Sequence, residues 1–240
     1  MNQNNLASGI KYFLDGVNLL KHPKLRSFLI IPILINTIVF FLITGAFFHY
    51  FDQLLNYLLG WLPDFLEFLA WIAITVLGVL IAVFYGYCFS AITNIIAAPF
   101  YGILAERTEE IASGVEIPDE TLSQLIPRTI GRELTKLWYF LWRSLIVFIL
   151  SFVPVIGPVL AIIWAMWSMA IQYSDYAADN HQTPFSVFRS LLRQRLWSTL
   201  GFGGIVMLCL MIPIINILVM PAAVIGGTLF WANELRELRS

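Results

Sequence analysis

Between Leu6 and Leu20 the apolar residues Leu6, Ile10, Phe13, Leu14, Val17 and Leu20 recur at three- and four-residue spacings, which gathers them on one face of a helix. Lys11, Asp15, Asn18 and His22 fall on the other face. The pattern predicts an amphipathic helix over 6–22 that lies in a membrane interface and is ended by Pro23. Beyond it the alternation disappears. The stretches 27–48, 68–105, 144–174 and 196–233 contain no charged residue at all. Each exceeds the ~20 apolar residues that cross a hydrocarbon core about 30 Å thick. Their apolar runs are continuous, whereas barrel strands alternate lipid-facing and lumen-facing side chains, so helices are expected.

The first stretch predicts a spanning helix over 27–48, with Pro32 near its start, where a missing backbone donor does least harm. The second predicts a helix over 68–112 interrupted only by Pro99. About 45 residues at 1.5 Å each overreach a bilayer. Its end should therefore project into water with Glu106, Arg107, Glu109 and Glu110, and Ser113-Gly114 supplies a stop.

The last two stretches are punctured near their middles. Residues 151–160 read S-F-V-P-V-I-G-P-V-L and residues 210–219 read L-M-I-P-I-I-N-I-L-V, with Pro221 shortly after. Each holds a proline, two β-branched residues and a turn former, a weak internal repeat that predicts helical hairpins over 144–174 and 196–233. Charge placement bears on their course, because Lys and Arg accumulate on the cytoplasmic side. The chain up to Arg26 holds four basic residues, 106–143 five, 175–195 three and the tail after Asn233 two, whereas the connector 49–67 holds none. Two crossings plus two re-entrant hairpins put every basic segment on one face. Backbone freed at a hairpin tip must then be buried in protein or line a wet cavity. The expected fold is an all-α integral membrane protein forming a single transmembrane domain over 1–240, with two long spans, two half-penetrating hairpins and interfacial helices.

Composition agrees. Hydrophobic residues make up 59% of the 240 and charged residues 12%, with a mean hydropathy of +0.81; soluble domains are about a quarter charged. A net charge of −1 without a basic tail argues against a nucleic-acid partner. Cys88 and Cys209 lie far apart inside apolar runs, a pattern of packing rather than of a disulfide or metal knuckle. The polar start, Met1 to Asn5, lacks the arrangement of a cleaved signal and is expected to be retained. Two full spans are too few to enclose a polar path, so a homo-oligomer is expected, with membrane lipid around it.

No nucleotide loop, zinc motif or nucleophile elbow occurs, so no enzyme site, cofactor or metal is expected. The segment His22-Pro23-Lys24-Leu25-Arg26-Ser27 is a cationic turn directly before a helix. Free amides and the helix dipole favour an anion there, and Arg presents a planar fork to a tetrahedral oxyanion. Lys24 and Arg26 equally fit ordinary anchors at a membrane boundary. Glu106 and Glu110 share one helix face with Arg107 nearby, an arrangement open to a pore entrance or a solvated helix end. Asn94, one turn before Pro99, has the place to satisfy carbonyls that the proline frees. Arg128, Arg132, Lys136 and Arg143 oppose Leu125, Ile126, Ile130, Leu134, Leu137 and Leu141, which predicts an interfacial helix whose basic face meets anionic headgroups. Arg189 and Arg193, after the helix start at Thr183-Pro184, read the same way. The cluster Gln172, Tyr173, Asp175, Tyr176, Asp179, Asn180 and His181 is expected to cap and anchor a returning hairpin.

The run Asn94-Ile95-Ile96-Ala97-Ala98-Pro99-Phe100 followed by Leu104-Ala105-Glu106 resembles the signature after the second span of the CysZ family of bacterial sulfate permeases. Pro23 to Arg26, Ile31-Pro32 to Asn36, Gln172-Tyr173 with Asp175-Tyr176, Asp179-Asn180-His181 with Pro184-Phe185, and Ile212-Pro213 to Pro221 extend the likeness over nearly the whole chain. The resemblance implies sulfate uptake across the bacterial inner membrane for cysteine biosynthesis, by an oligomer with two long spans and shorter half-penetrating helices. It also implies a sulfate site at Lys24, Leu25, Arg26 and Ser27, where the family carries a Gly-Leu-Arg-type turn. Lys24 stands here in place of the usual glycine, and Ser27 where a second arginine is common. Coupled transport of a related oxyanion such as sulfite, and a non-transporting membrane scaffold, are the alternatives.

Overall fold

A computed structural model describes residues 4–60, 67–114 and 121–239, and no strand occurs among them. Helix α1 spans Leu6–Leu19, α2 Pro23–Leu59, α3 Glu67–Ser113, α4 Leu122–Leu150, α5 Ile156–Asn180, α6 Phe185–Gln194, α7 Leu196–Leu210 and α8 Pro213–Phe230; a π-helical turn, Trp231–Leu235, and a 3-10 turn, Glu237–Arg239, follow. The chain forms two compact units, one of Met1–Pro32 with Ala98–Ser240 and the other of Ile33–Ala97.

The smaller unit is built from α2 and α3. The hydroxyls of Thr44 and Tyr85 lie 2.7 Å apart, Phe47 packs on Tyr85 with ring centroids at 4.9 Å, and Phe40 meets Phe89 at 5.7 Å. Around this seam Phe41, Leu42, Val79, Leu80, Phe84 and Tyr87 are all exposed. Water-soluble monomers do not present a continuous apolar surface of this extent. The chain is a membrane protein.

In the larger unit α1 lies on α7 and α8, while α5 packs on α7, α8 and α4. Asn5 caps α1 by accepting the Ser8 amide at 2.7 Å. The stripe α1 buries is Gly9, Phe13 and Gly16. Gly9 lies against the Ser198 carbonyl and Gly16 against the Ala222 carbonyl, so close that a Cβ at either would collide with backbone. Leu6, Ile10, Leu14 and Val17, the apolar face expected to lie in the membrane interface, are exposed on its outer side. The interfacial assignment thus acquires a second face: small residues dock the helix on protein and its aliphatic stripe faces outward.

Pro23 does not terminate α1, which ends at Leu19; it opens α2, where a proline's fixed φ suits the first turn. Helix α2 has 37 residues, so most of the expected connector after Phe48 is helical. Helix α3 ends at Ser113, with Gly114 at φ +63° donating its amide to the Glu110 carbonyl at 3.0 Å, the stop that Ser113-Gly114 predicts. Both punctured stretches are helix-turn-helix elements. The turn between α4 and α5 is Ser151–Val155, and the turn between α7 and α8 is Met211–Ile212, with Pro213 as the first residue of α8. Among the described residues Ile156–Asn180 and Leu218–Leu235 are long and apolar enough to cross a membrane, and Thr37–Phe51, Ile74–Phe89 and Leu196–Leu210 are shorter apolar helical runs.

Candidate functional site

The expected anion turn forms the first turn of α2. Leu25 is fully buried, and its amide donates to the His22 carbonyl at 3.0 Å, so that donor closes the turn. The side chains of Lys24, Arg26, Ser27 and Asn94 lie outside the described residues. Arg107 and Glu110 form an exposed ion pair at 2.9 Å, and Glu106 is half-buried beside them.

The charged residues inside the larger unit are arranged differently from the expectation. Arg128, Arg132 and Lys136 do not face headgroups; they face α5. Arg128 Nη1 lies 2.6 Å from Asp179 Oδ2 and donates to the Asp179 carbonyl at 2.5 Å. Arg132 embraces Asp175 through Nε, at 3.0 Å to Oδ2, and Nη2, at 2.6 Å to Oδ1, while Nη1 donates to the Thr183 carbonyl at 2.9 Å. Lys136, almost fully buried, sits 2.6 Å from Glu133, 3.5 Å from Asp175 and 4.4 Å from the centre of the Tyr176 ring. Leu134, Leu137 and Leu141 are left exposed. The reason is register. Basic residues four apart on α4 meet carboxylates four apart on α5 when the helices run antiparallel, and the pairing removes charge that burial alone would penalise.

Three cations and three carboxylates pair with one another in this clasp. Burial pushes the Glu133 carboxyl above its ordinary range, against the pull of Lys136. Asp175, Tyr176 and Asp179 of the polar cluster at the end of α5 are therefore the partners of the α4 cations, while Asn180 donates to the Gly102 carbonyl at 2.7 Å.

Two further carboxylates are buried. Glu109, fully enclosed, receives Arg236 Nη1 at 2.6 Å and stands 2.9 Å from His181 Nε2, joining the ends of α3 and α5 to the turn after α8. Glu234 accepts from Tyr12 at 3.0 Å and Ser8 at 3.3 Å and lies 3.4 Å from Arg195 Nε. Burial first, then Glu234, raise the Tyr12 phenol well above its ordinary value. Glu109, expected in water at the end of α3, is instead buried against His181 and Arg236, and Glu133 and Glu234 are the carboxylates that the periodic pattern did not single out. One signal was present: Arg128, Arg132 and Lys136 have the same four-residue spacing as Asp175 and Asp179.

The family model described as Sulfate transporter CysZ/Etoposide-induced protein 2.4 matches residues 12–221. The chain belongs to this family. A protein of Pseudomonas fluorescens (strain Pf0-1) named Sulfate transporter CysZ is 43% identical over 236 residues, covering 95% of this chain and 94% of that one. A protein of the same name from Pseudomonas aeruginosa (strain LESB58) is 42% identical and covers 96% of each chain. Another from Vibrio parahaemolyticus serotype O3:K6 is 39% identical over 98% of each. Such end-to-end coverage gives the family assignment the whole chain, both compact units included.

Proposed function

We propose that this chain carries sulfate across the bacterial inner membrane, by a channel- or permease-like path, and so supplies sulfur for cysteine biosynthesis. The observation that carries the reading is the full-length similarity, at 43% identity, to a protein named Sulfate transporter CysZ. The helical architecture supports it: α2 and α3 have 37 and 47 residues, and helices of that length outreach a bilayer core. In this reading the protein is a multi-pass transmembrane domain, and the hairpins α4–α5 and α7–α8 enter the membrane and return on the same side.

Sulfate binds at the start of α2 in this proposal. Arg26 supplies a bidentate fork, Lys24 a second positive charge, and Ser27 with the helix N-terminus the remaining donors. Lys24 and Arg26 bring two formal positive charges to the first α2 turn, which suits a divalent anion. Glu106, Arg107, Glu110 and Asn94 belong to the approach, where the Arg107–Glu110 pair lowers the repulsion a bare carboxylate would exert. Chains with half-penetrating hairpins need neighbours, so the working unit is a homo-oligomer. Its mass in detergent should exceed that of one chain at every concentration; a monomer throughout would count against it.

Labelled-sulfate uptake into vesicles containing only this protein tests the function. Accumulation above that of protein-free vesicles is expected. No uptake would leave the scaffold reading, and uptake that requires an imposed pH gradient would establish coupled transport.

A further inference from the structure

Basic side chains of the larger unit differ in their partners. Arg107, Arg128, Arg132, Lys136, Arg195 and Arg236 each stand beside a carboxylate. Arg143 and Arg189 have none among the described residues. Their guanidinium groups lie over the same ring, that of Tyr139, at 5.4 and 4.6 Å from its centre. They are thus no more than about 10 Å apart. Arg189 also lies over Phe185 at 4.9 Å, and its Nε is buried without a hydrogen-bond partner among the described residues.

Tyr139 is itself fixed. Trp167 Nε1 donates to its hydroxyl at 3.3 Å, and its ring packs on Trp164 at 5.8 Å, whose own Nε1 donates to Ser144 at 3.0 Å. The ring quadrupole holds two cations near each other but cancels neither charge. Beside them α4 exposes Trp138, Leu141, Trp142 and Leu145, an apolar strip edged with indoles of the kind found at a membrane–water boundary. Like charges at such a margin call for an anion between them.

We propose that Arg143 and Arg189, held on Tyr139, bind the phosphate of an anionic glycerophospholipid whose acyl chains lie along the exposed strip of α4. The absence of a carboxylate selects against headgroups bearing an amine, which would add a third positive charge. The apolar strip selects a lipid over a free oxyanion, because only a lipid also covers it. This site is separate from the α2 turn assigned to sulfate.

The test uses the purified full chain and compares retention of phosphatidylglycerol with phosphatidylcholine of the same acyl chains, by mass spectrometry of the intact protein–lipid complex. Wild-type protein is expected to prefer phosphatidylglycerol about tenfold. Arg143→Gln should reduce the preference severalfold and Arg143→Gln with Arg189→Gln should abolish it, whereas Arg193→Gln, an exposed arginine of α6 that does not stack on the Tyr139 ring, should leave it unchanged. If the double variant fails to give a single gel-filtration peak, Arg143→Gln alone decides, since that side chain is exposed. Equal retention of both lipids by the wild type, an unchanged preference in Arg143→Gln, or an equal loss in Arg193→Gln would overturn the proposal. So would displacement of phosphatidylglycerol by millimolar sulfate, which would assign the site to free oxyanions.

Discussion

A recurring arginine four residues from the next has the same sequence signature whether it meets headgroups or carboxylates on a neighbouring helix. Arg128, Arg132 and Lys136 show which it is here, since Asp179, Asp175 and Glu133 take them up. The choice is made by tertiary register, and period alone carries no information on it. Glu133 offers a direct check. Its proton affinity is raised by burial, so between the ordinary carboxylate range and its raised value the folded chain keeps a proton that the unfolded chain releases. Stability then falls as pH rises through that window and is flat below it. Glu133→Gln cannot ionise, so it should lose this slope, as thermal unfolding in one detergent from pH 4 to 8 will read; parallel curves would mean that Lys136 and not burial governs the site. The α2 turn calls for the opposite chemistry, since sulfate stays ionised at physiological pH and needs fixed donors. Arg26→Ala should weaken sulfate binding by roughly 1.5–3 kcal/mol, the scale of a hydrogen bond to a charged group, and Lys24→Ala should cost less because an ammonium acts as a point charge. Arg26→Lys discriminates: titration calorimetry should show lost affinity if the fork is bidentate, and unchanged affinity would make Arg26 a membrane anchor.

Element ends were legible where a residue type forces the backbone. Gly114 at φ +63° and Pro213 at the first position of α8 stand where the sequence puts them. The tip of the first hairpin shows what was not legible: Val155 adopts φ 68°, ψ −52° while the Ile156 amide donates to the Pro154 carbonyl at 2.8 Å, a γ-turn of the rarer hand in a β-branched residue. Helix α1 makes the same point about packing. Hydrophobicity marked Leu6, Ile10, Leu14 and Val17, but contact distance is decided by residues with no side chain, Gly9 and Gly16, which a hydropathy pattern counts as nothing. A Cβ on Gly16 would stand 2.6 Å from the Gly226 nitrogen. Gly16→Ala must therefore push α1 off α8, at a cost of about 1–3 kcal/mol on the scale of overpacked cores. Gly45 in α2 has nothing within 4 Å of its Cβ position. There Gly45→Ala should stabilise by roughly 0.5–1 kcal/mol through helix propensity. Melting temperatures in the same detergent should move in opposite directions, and a shift of one sign for both would defeat the docking account.

At the scale of the whole molecule the weak repeat becomes a shared construction. Each hairpin is turned near a proline, Pro154 or Pro213, and each is joined at its base by an arginine and a fully buried carboxylate, Arg132 with Asp175 and Arg195 with Glu234. A buried ion pair across the base holds both ends of a hairpin at one level, which in the proposed topology lies on one side of the membrane. From these pairs to the tips the helices run about 24–33 Å at 1.5 Å per residue, close to the ~30 Å thickness of the core, so the character of the tips decides whether they cross. The tips themselves are apolar and outward: Phe152, Val155 and Met211 are each more than two-thirds exposed, at 74%, 80% and 72%. A tip that broke through to water would expose those side chains to it, whereas a tip that stops inside keeps them in lipid or against a neighbouring subunit. With Cys88 and Cys209 replaced by serine, single cysteines at Thr121 and Gln182, exposed at the two base ends of the first hairpin, should react with an impermeant thiol reagent from the same side of sealed, uniformly oriented vesicles. Val155→Cys and Met211→Cys should react from neither side, and only after detergent is added. Labelling of Val155→Cys from the face opposite Gln182→Cys would make α4 and α5 full spans, and the two-crossing, two-hairpin topology would fall with it.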